Sequence, residues 1–291
     1  MKRVAIIGGG ISGLTLAYFL QKMSPSLRIT LFEEAPVLGG KIQTRTEDGL
    51  TIECGADSML MKEGAPIERL VRELEIEQEL ISPSEKNFAI QRNGKLHSIP
   101  LGMLQGFPKN FLSLWQCSLF SPWGKLVASV RPILSQASSA PEERGDPSIA
   151  EALRFRYGSE VSRYLFETVF GGIHSGDASR LSFRALYPDM ERGAKGKYSR
   201  ARFVSFKNGM ETLPNSVASQ LKDVSVVHER VMSVEKKESG FLLRAEESAD
   251  EFDSVAISTP AYVASALVSQ MSLRLSSELQ TISHSSSAVI T

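Results

Sequence analysis

Three glycines in the spacing Gly8-x-Gly10-x-x-Gly13 follow an apolar run, and Glu33 stands 20 positions after Gly13. Glycine at the first position permits a tight turn. Glycine at the second lets a pyrophosphate approach the backbone, and at the third it lets a helix pack closely on a strand. Gly9, Ile11 and Ser12 complete the turn, which opens a helix whose first amide groups and positive dipole end would face phosphates. Glu33 can accept hydrogen bonds from ribose hydroxyls, and the adjacent Glu34 shares its charge. A 2′-phosphate would be repelled there, which disfavours NADP. The chemistry expected of this set is the holding of an ADP-containing dinucleotide.

A second glycine pair, Gly39-Gly40, precedes Lys41. A glycine pair with a cation suits a second close approach to the same cofactor. The alternative is a loop that merely turns into a hairpin.

The elements that must position these residues are legible around them. Residues 2–7 form a β-branched run expected to be a buried strand. Residues 14–23 have a broad apolar helical face, stopped by Pro25. Residues 28–32 form a second strand. Residues 42–46 and 50–53 fit a hairpin turned at Asp48-Gly49. Residues 65–80 pattern as a charged helix. Ser148, with Glu151 three positions on, predicts a capped helix that Gly158 closes, and a second helix is expected from 159 to about 169. Strands are expected over 201–206, 224–228, 230–236, 241–245 and 252–258. Helices are expected over 211–221 and from Thr259-Pro260 to about 268. Residues 135–147 read as a Ser/Pro/Glu loop.

Composition narrows the classes. The chain has 291 residues, 33 basic against 33 acidic, which argues against a dedicated nucleic-acid binder. Cys54 and Cys117 make no disulfide framework and no metal cluster, which fits a reducing, intracellular compartment. There is no run of about 18 apolar residues and no signal-peptide pattern, so a cytoplasmic protein is expected. His97, His174, His228 and His284 are scattered without metal-ligand spacing. No nucleophilic set is present and no catalytic base is named. From Lys86 to Pro141 there is no acidic residue, but Lys86, Arg92, Lys95, Lys109, Lys125 and Arg131 are basic. An apolar cleft with a few cations suits a flat, carboxylated ligand. The same composition suits docking on an anionic membrane surface, and it also suits a plain exposed basic face.

Gly8 to Gly13, Glu33 and Gly39-Gly40-Lys41-Ile42-x-Thr44 together resemble the amine-oxidase-type flavoprotein superfamily. Gly55-Ala56-Asp57-Ser58 resembles the flavin-side loop of the protoporphyrinogen oxidases within it. So do Ser148-Ile149 leading into Arg156-Tyr157-Gly158-Ser159-Glu160-Val161, the stretch from Gly171 to Ser182, and Phe206 to Pro214. The resemblance covers nearly the whole chain.

It implies an α/β protein: a discontinuous Rossmann-type FAD-binding domain over 1–86 and 202–291, with an inserted, mostly helical substrate domain over 87–201. It implies FAD as cofactor, held by the residues above and by Val231, whose strand resembles the one that meets the adenine. The implied activity belongs to haem biosynthesis. A porphyrinogen, protoporphyrinogen IX first, is oxidised to the porphyrin with dioxygen as acceptor. Coproporphyrinogen III is the alternative, because Phe88 stands where protoporphyrinogen-specific relatives often place an arginine. Another amine-oxidase-type flavoenzyme and an inactive fragment are further alternatives. Chains of this kind are longer, so a C-terminal part that completes the flavin site is expected to be missing. The oligomeric state is not expressed in the sequence.

Overall fold

The apolar run at the N-terminus forms strand β1 (Arg3–Ile7), and its composition follows from burial on both faces. Ile6 packs to one side with Leu14 and Ala17, while Ala5 and Ile7 pack to the other with Phe32 and Val234. A strand covered on both faces has no need of alternating polar residues. The structure, a computed structural model, describes residues 1–84, 88–99, 111–134, 145–186 and 202–289.

In chain order, β1 is followed by α1 (Ile11–Met23), β2 (Arg28–Phe32), β3 (Thr44–Glu47), β4 (Leu50–Glu53), β5 (Met59–Met61), α2 (Pro66–Glu73) and β6 (Leu80–Ile81). Next come β7 (Phe88–Arg92), β8 (Lys95–Ile99), α3 (Phe111–Gln116), α4 (Pro122–Leu134), α5 (Ile149–Val161), α6 (Thr168–His174) and α7 (Phe183–Leu186). The remainder is β9 (Arg202–Phe206), α8 (Thr212–Ser219), β10 (Val224–Val227), β11 (Val231–Lys237), β12 (Gly240–Ala245), β13 (Ala249–Phe252), β14 (Ser254–Ile257), α9 (Ala261–Val268) and α10 (Leu273–Gln280). The chain divides into two compact units, one of Met1–Ser82, Arg200–His284 and Ala288–Thr291, the other of Pro83–Ser199 and Ser285–Ser287.

The first unit is built on a parallel sheet of order β10-β2-β1-β14. Helices α1 and α8 cover one face through Leu14, Ala17, Leu213 and Val217. The antiparallel sheet β11-β12-β13 covers the other through Val231, Val234, Leu243 and Phe252. This layering, with neighbours β1 and β2 joined through α1, is the Rossmann-type α/β arrangement. The hairpin β3–β4 turns at Asp48-Gly49, both at positive φ, as a two-residue hairpin turn requires.

The second unit has its own apolar core around Leu114, Phe120, Leu153, Leu165, Phe166 and Phe183. Ser148 caps α5 in a complete capping box with Glu151. Gly158 breaks the helix at φ 81, and a π-helical turn, Ser162–Glu167, carries the chain into α6. The second helix is thus longer than the pattern predicts.

Two other expectations change. The helix predicted over 65–80 ends at Glu73, because Glu75 takes a left-handed φ of 58. Its N–H donates to the Arg72 carbonyl and that of Ile76 to the Val71 carbonyl, closing a Schellman cap without glycine. The single strand predicted over 252–258 is two, β13 and β14, parted at Asp253, whose carboxylate accepts the Arg3 backbone N–H at 2.6 Å. The loop expected over 135–147 falls, for residues 135–144, outside the described residues, as does residue 201 of the strand expected over 201–206.

Candidate cofactor site

The carboxyl ends of β1, β2, β10 and β14 form one edge, where ligands bind in open α/β sheets. The ladder runs on past the strands there. Gly8 N–H donates to the Phe32 carbonyl at 2.8 Å, Glu33 N–H to Val227 at 3.0 Å and Ser258 N–H to Ile7 at 2.9 Å.

Gly8 leaves β1 at φ 107, a conformation that favours glycine. A Cβ on Gly13 would overlap the Gly8 carbonyl oxygen, so the first turn of α1 lies directly against the strand end. Gly10 differs. A Cβ there would meet no protein atom nearer than Gly40 Cα, at 3.9 Å. Gly13 is therefore required by the fold, whereas the neighbouring protein atoms make no such demand on position 10. Gly10 also caps α1 without a side-chain hydrogen bond. The amides of Ile11, Ser12 and Gly13 thus belong to an uncapped first turn, the arrangement that receives anions.

Glu33 folds back over this turn. Its Oε2 accepts the Gly9 N–H at 2.6 Å and its Oε1 accepts the Ala35 N–H at 2.9 Å. Each carboxylate oxygen keeps a lone pair for a further donor. Glu34 is exposed and pairs with Arg230 at 3.5 Å. The two acidic residues are thereby distinguished: one is fixed at the glycine turn and the other points to solvent.

The second glycine pair joins the first. Gly39 N–H donates to the Gly9 carbonyl at 2.9 Å, and Gly10 and Gly39 form an isolated parallel bridge. Gly40 has φ 62, and a Cβ on it would stand 3.0 Å from Gly10 Cα. Lys41 is exposed, and its carbonyl oxygen occupies the place a Cβ on Gly55 would need. Ala56, Asp57 and Ser58 continue from Gly55 as exposed loop, with the Ser58 hydroxyl donating to Asp57 Oδ1 at 2.9 Å.

Val231 opens β11, opposite Ala245, and the register shifts between Val231 and Ser233. Its side chain is buried in the apolar layer beneath β1. The chain just before it runs beside the Glu33 turn: His228 Nδ1 donates to the Ala35 carbonyl at 2.8 Å. The structure thus brings Gly8 to Gly13, Glu33, Gly39 to Lys41 and the approach to Val231 together at one sheet edge.

Residues 11–290 match the sequence profile of the flavin-containing amine oxidoreductases. The chain belongs to that family. A member of it uses a flavin, and FAD suits a turn built for an ADP moiety. Within the family the chain is 30% identical to a coproporphyrinogen III oxidase of Bacillus subtilis, over 93% of this chain and 62% of that protein. It is 29% identical to protoporphyrinogen oxidase 2 of Arabidopsis thaliana, over 76% of this chain and 47% of that one. A crystal structure of a protein assigned as a protoporphyrinogen oxidase from Exiguobacterium sp. 255-15 superposes with TM-score 0.81 at 26% identity, over 96% of this chain and 63% of that one. The chain therefore spans about three fifths of the length of the Bacillus relative.

Sequence reasoning missed three contributors. The Ser258 hydroxyl lies 2.9 Å from both the Ile7 and Gly8 carbonyl oxygens and fastens the glycine turn to β14. Its only signal is its place after the strand that neighbours β1. Glu53 accepts the Thr44 hydroxyl and the Met210 N–H, each at 2.8 Å, while Thr44 Oγ1 accepts the Glu211 N–H at 3.1 Å. This network ties the hairpin after Gly40 to the start of α8. Arg230, as the partner of Glu34, is the third. The other three histidines make local contacts: His97 bonds Ser118 Oγ, His174 stacks on Phe170, and His284 meets Tyr262 edge-on. Among the described residues no group of His, Cys, Asp and Glu could hold a metal ion, and no helix is long and apolar enough to cross a membrane.

Proposed function

We propose that this flavin-dependent oxidoreductase oxidises a porphyrinogen to the porphyrin in haem biosynthesis, with dioxygen as acceptor. One observation carries the reading. The glycine turn that suits FAD lies in a chain that aligns over 93% of its length with a coproporphyrinogen III oxidase. When bound, the flavin supplies hydride acceptance from a saturated bridging carbon and passes the electrons on to dioxygen.

The residues of the chain bind and orient. The uncapped amides of Ile11, Ser12 and Gly13 receive the pyrophosphate at the bare Cα of Gly10. Glu33, held by Gly9 and Ala35, presents its remaining lone pairs to the ribose hydroxyls. The backbone of Val231, where the ladder with β12 shifts, offers polar groups to the adenine edge. Gly40, Lys41 and the loop from Gly55 to Ser58 continue toward the flavin side. No side chain of this chain is assigned as catalytic base.

Between substrates, the Bacillus likeness favours coproporphyrinogen III. The alignment with the Arabidopsis protoporphyrinogen oxidase covers less of this chain. The test supplies FAD and follows porphyrin fluorescence from coproporphyrinogen III and protoporphyrinogen IX, with and without dioxygen, beside an amine substrate. Any porphyrin formation is expected to need both FAD and dioxygen. Amine oxidation without porphyrin formation would overturn the reading.

A further inference from the structure

We propose that His228 is a cofactor-positioning residue: it clips the loop after β2 to the segment that leads into β11, and so holds Glu33 in place. This rests on the reading of the glycine turn as an FAD site, and adds to that site a residue outside the glycine pattern.

Strands β2 and β10 are joined by their ladder only as far as the Glu33 N–H, which donates to the Val227 carbonyl at 3.0 Å. Beyond that bond both chains leave the sheet. One runs through Glu34, Ala35 and Pro36 to Gly39, and the other through His228, Glu229 and Arg230 to Val231. Two side chains link them there. Arg230 meets Glu34 at 3.5 Å, but both side chains are largely exposed, and such a pair contributes little. His228 makes the closer link, its Nδ1 standing 2.8 Å from the Ala35 carbonyl oxygen. A carbonyl oxygen can only accept, so Nδ1 carries the hydrogen.

Both ends of this clip are anchored. The Ala35 N–H donates to Glu33 Oε1 at 2.9 Å, and the Gly9 N–H donates to Oε2 at 2.6 Å. Pro36 restricts the backbone of Ala35 before it, and the Gly39 N–H returns to the Gly9 carbonyl at 2.9 Å. On the other side, the Glu229 carboxylate accepts the Ser248 hydroxyl at 2.9 Å and the Glu247 N–H at 3.2 Å. The Arg230 carbonyl accepts the Glu246 N–H at 3.1 Å. His228 thus fixes Ala35, and through it the Glu33 carboxylate, against a segment braced on the turn between β12 and β13.

The sheet has no need of this bond, because the ladder already sets its register. The core has none either, because His228 is exposed. What the bond sets is the spacing between the carboxylate assigned to the ribose and the Val231 backbone assigned to the adenine. A ligand that meets both binds more tightly when that spacing is set in advance, since ordering the loops then costs nothing at binding.

The test compares the parent with His228→Ala and with His228→Asn, whose side-chain amide can donate to the same carbonyl. In the apoprotein, exchange of the Gly9 and Ala35 amides should quicken about fivefold in His228→Ala, at an unchanged unfolding midpoint. FAD and ADP should each bind that variant about fivefold more weakly, as the loss of one hydrogen bond predicts. His228→Asn should bind within about twofold of the parent. In a Glu33→Gln background, adding His228→Ala should weaken FAD binding no more than about twofold further, because the two residues act in one chain of bonds. Parent affinity in His228→Ala, no rescue by asparagine, or a full further fivefold loss in the Glu33→Gln background would overturn the positioning role and leave the FAD site standing. So would a lowered midpoint that accounts for the weaker binding with amide exchange at Gly9 and Ala35 unchanged. No saturable FAD binding by the parent would overturn the FAD reading, and this inference with it.

Discussion

The carboxylate of Glu33 accepts the backbone N–H of Gly9 at 2.6 Å, locking the end of β2 onto the glycine turn that ends β1. A residue expected to meet a ribose is therefore also part of the turn's own scaffold. This double duty makes its substitution informative. Glu33→Gln keeps the shape but leaves only one oxygen for the Gly9 and Ala35 amides. Losing charge-assisted bonds should cost about 1–2 kcal/mol, and FAD affinity should fall about tenfold. Glu34→Gln, at an exposed ion pair, should change affinity little. Titration of each variant with FAD checks this; an effect at Glu34 and none at Glu33 would shift the assignment by one residue.

Gly13→Ala tests the packing of α1 on β1. The added methyl would overlap the Gly8 carbonyl, and the strand and helix cannot part without opening the core around Leu14 and Ala17. Overpacking of this kind costs about 1–3 kcal/mol. The measurement is the denaturant midpoint of the apoprotein, which should fall clearly. An unchanged midpoint would show that the turn yields more easily than its geometry suggests.

Much of this region was legible because local and tertiary demands agree there. The β-branched run, the three glycines and the acidic residue closing the next strand each have one structural solution. Elsewhere distant contacts decided. Asp253 interrupts what reads as one strand because it bonds the backbone of Arg3, 250 residues away. Glu75 ends a helix through a left-handed turn that its side chain does not announce. Pro122–Leu134 is helical, though the sequence reading assigns no element there: its large apolar residues face outward and its small ones inward. Ser258 and Glu53 serve the site through partners far along the chain, so no short pattern points to them.

Val231 separates backbone from side-chain binding. Its side chain belongs to the core under the sheet, and its backbone is proposed to meet the adenine. Val231→Ala should cost about 1 kcal/mol of stability and leave FAD affinity within about twofold. Val231→Pro removes the N–H and should abolish measurable binding. Equilibrium titration of both variants checks it, and loss of binding in the alanine variant alone would contradict it.

Glu160 should give the second unit a pH dependence. Burial raises its pKa, but hydrogen bonds from the Ser121 hydroxyl and amide and from Arg92 outweigh this and hold it below the ordinary glutamate value. A depressed folded value means that the stabilisation is present above the unfolded pKa, about 4.3, and is lost as pH falls through the folded one. Glu160→Gln should destabilise by about 1–3 kcal/mol near neutrality. The gap between variant and parent should narrow below about pH 4. Unfolding midpoints measured across that range decide it; a gap independent of pH would remove the carboxylate from the account.

FAD binding at the Gly10 turn underlies the whole proposal. It is tested most directly by titrating the protein and its Gly10→Val variant with FAD, following flavin fluorescence and absorbance, with ADP and NADP as competitors. Saturable FAD binding that ADP displaces and NADP does not is expected. The valine variant should keep its fold and lose FAD by at least about a hundredfold, because its side chain stands where the pyrophosphate must lie. Equal FAD binding by the parent and the valine variant, or displacement of FAD by NADP, would contradict it.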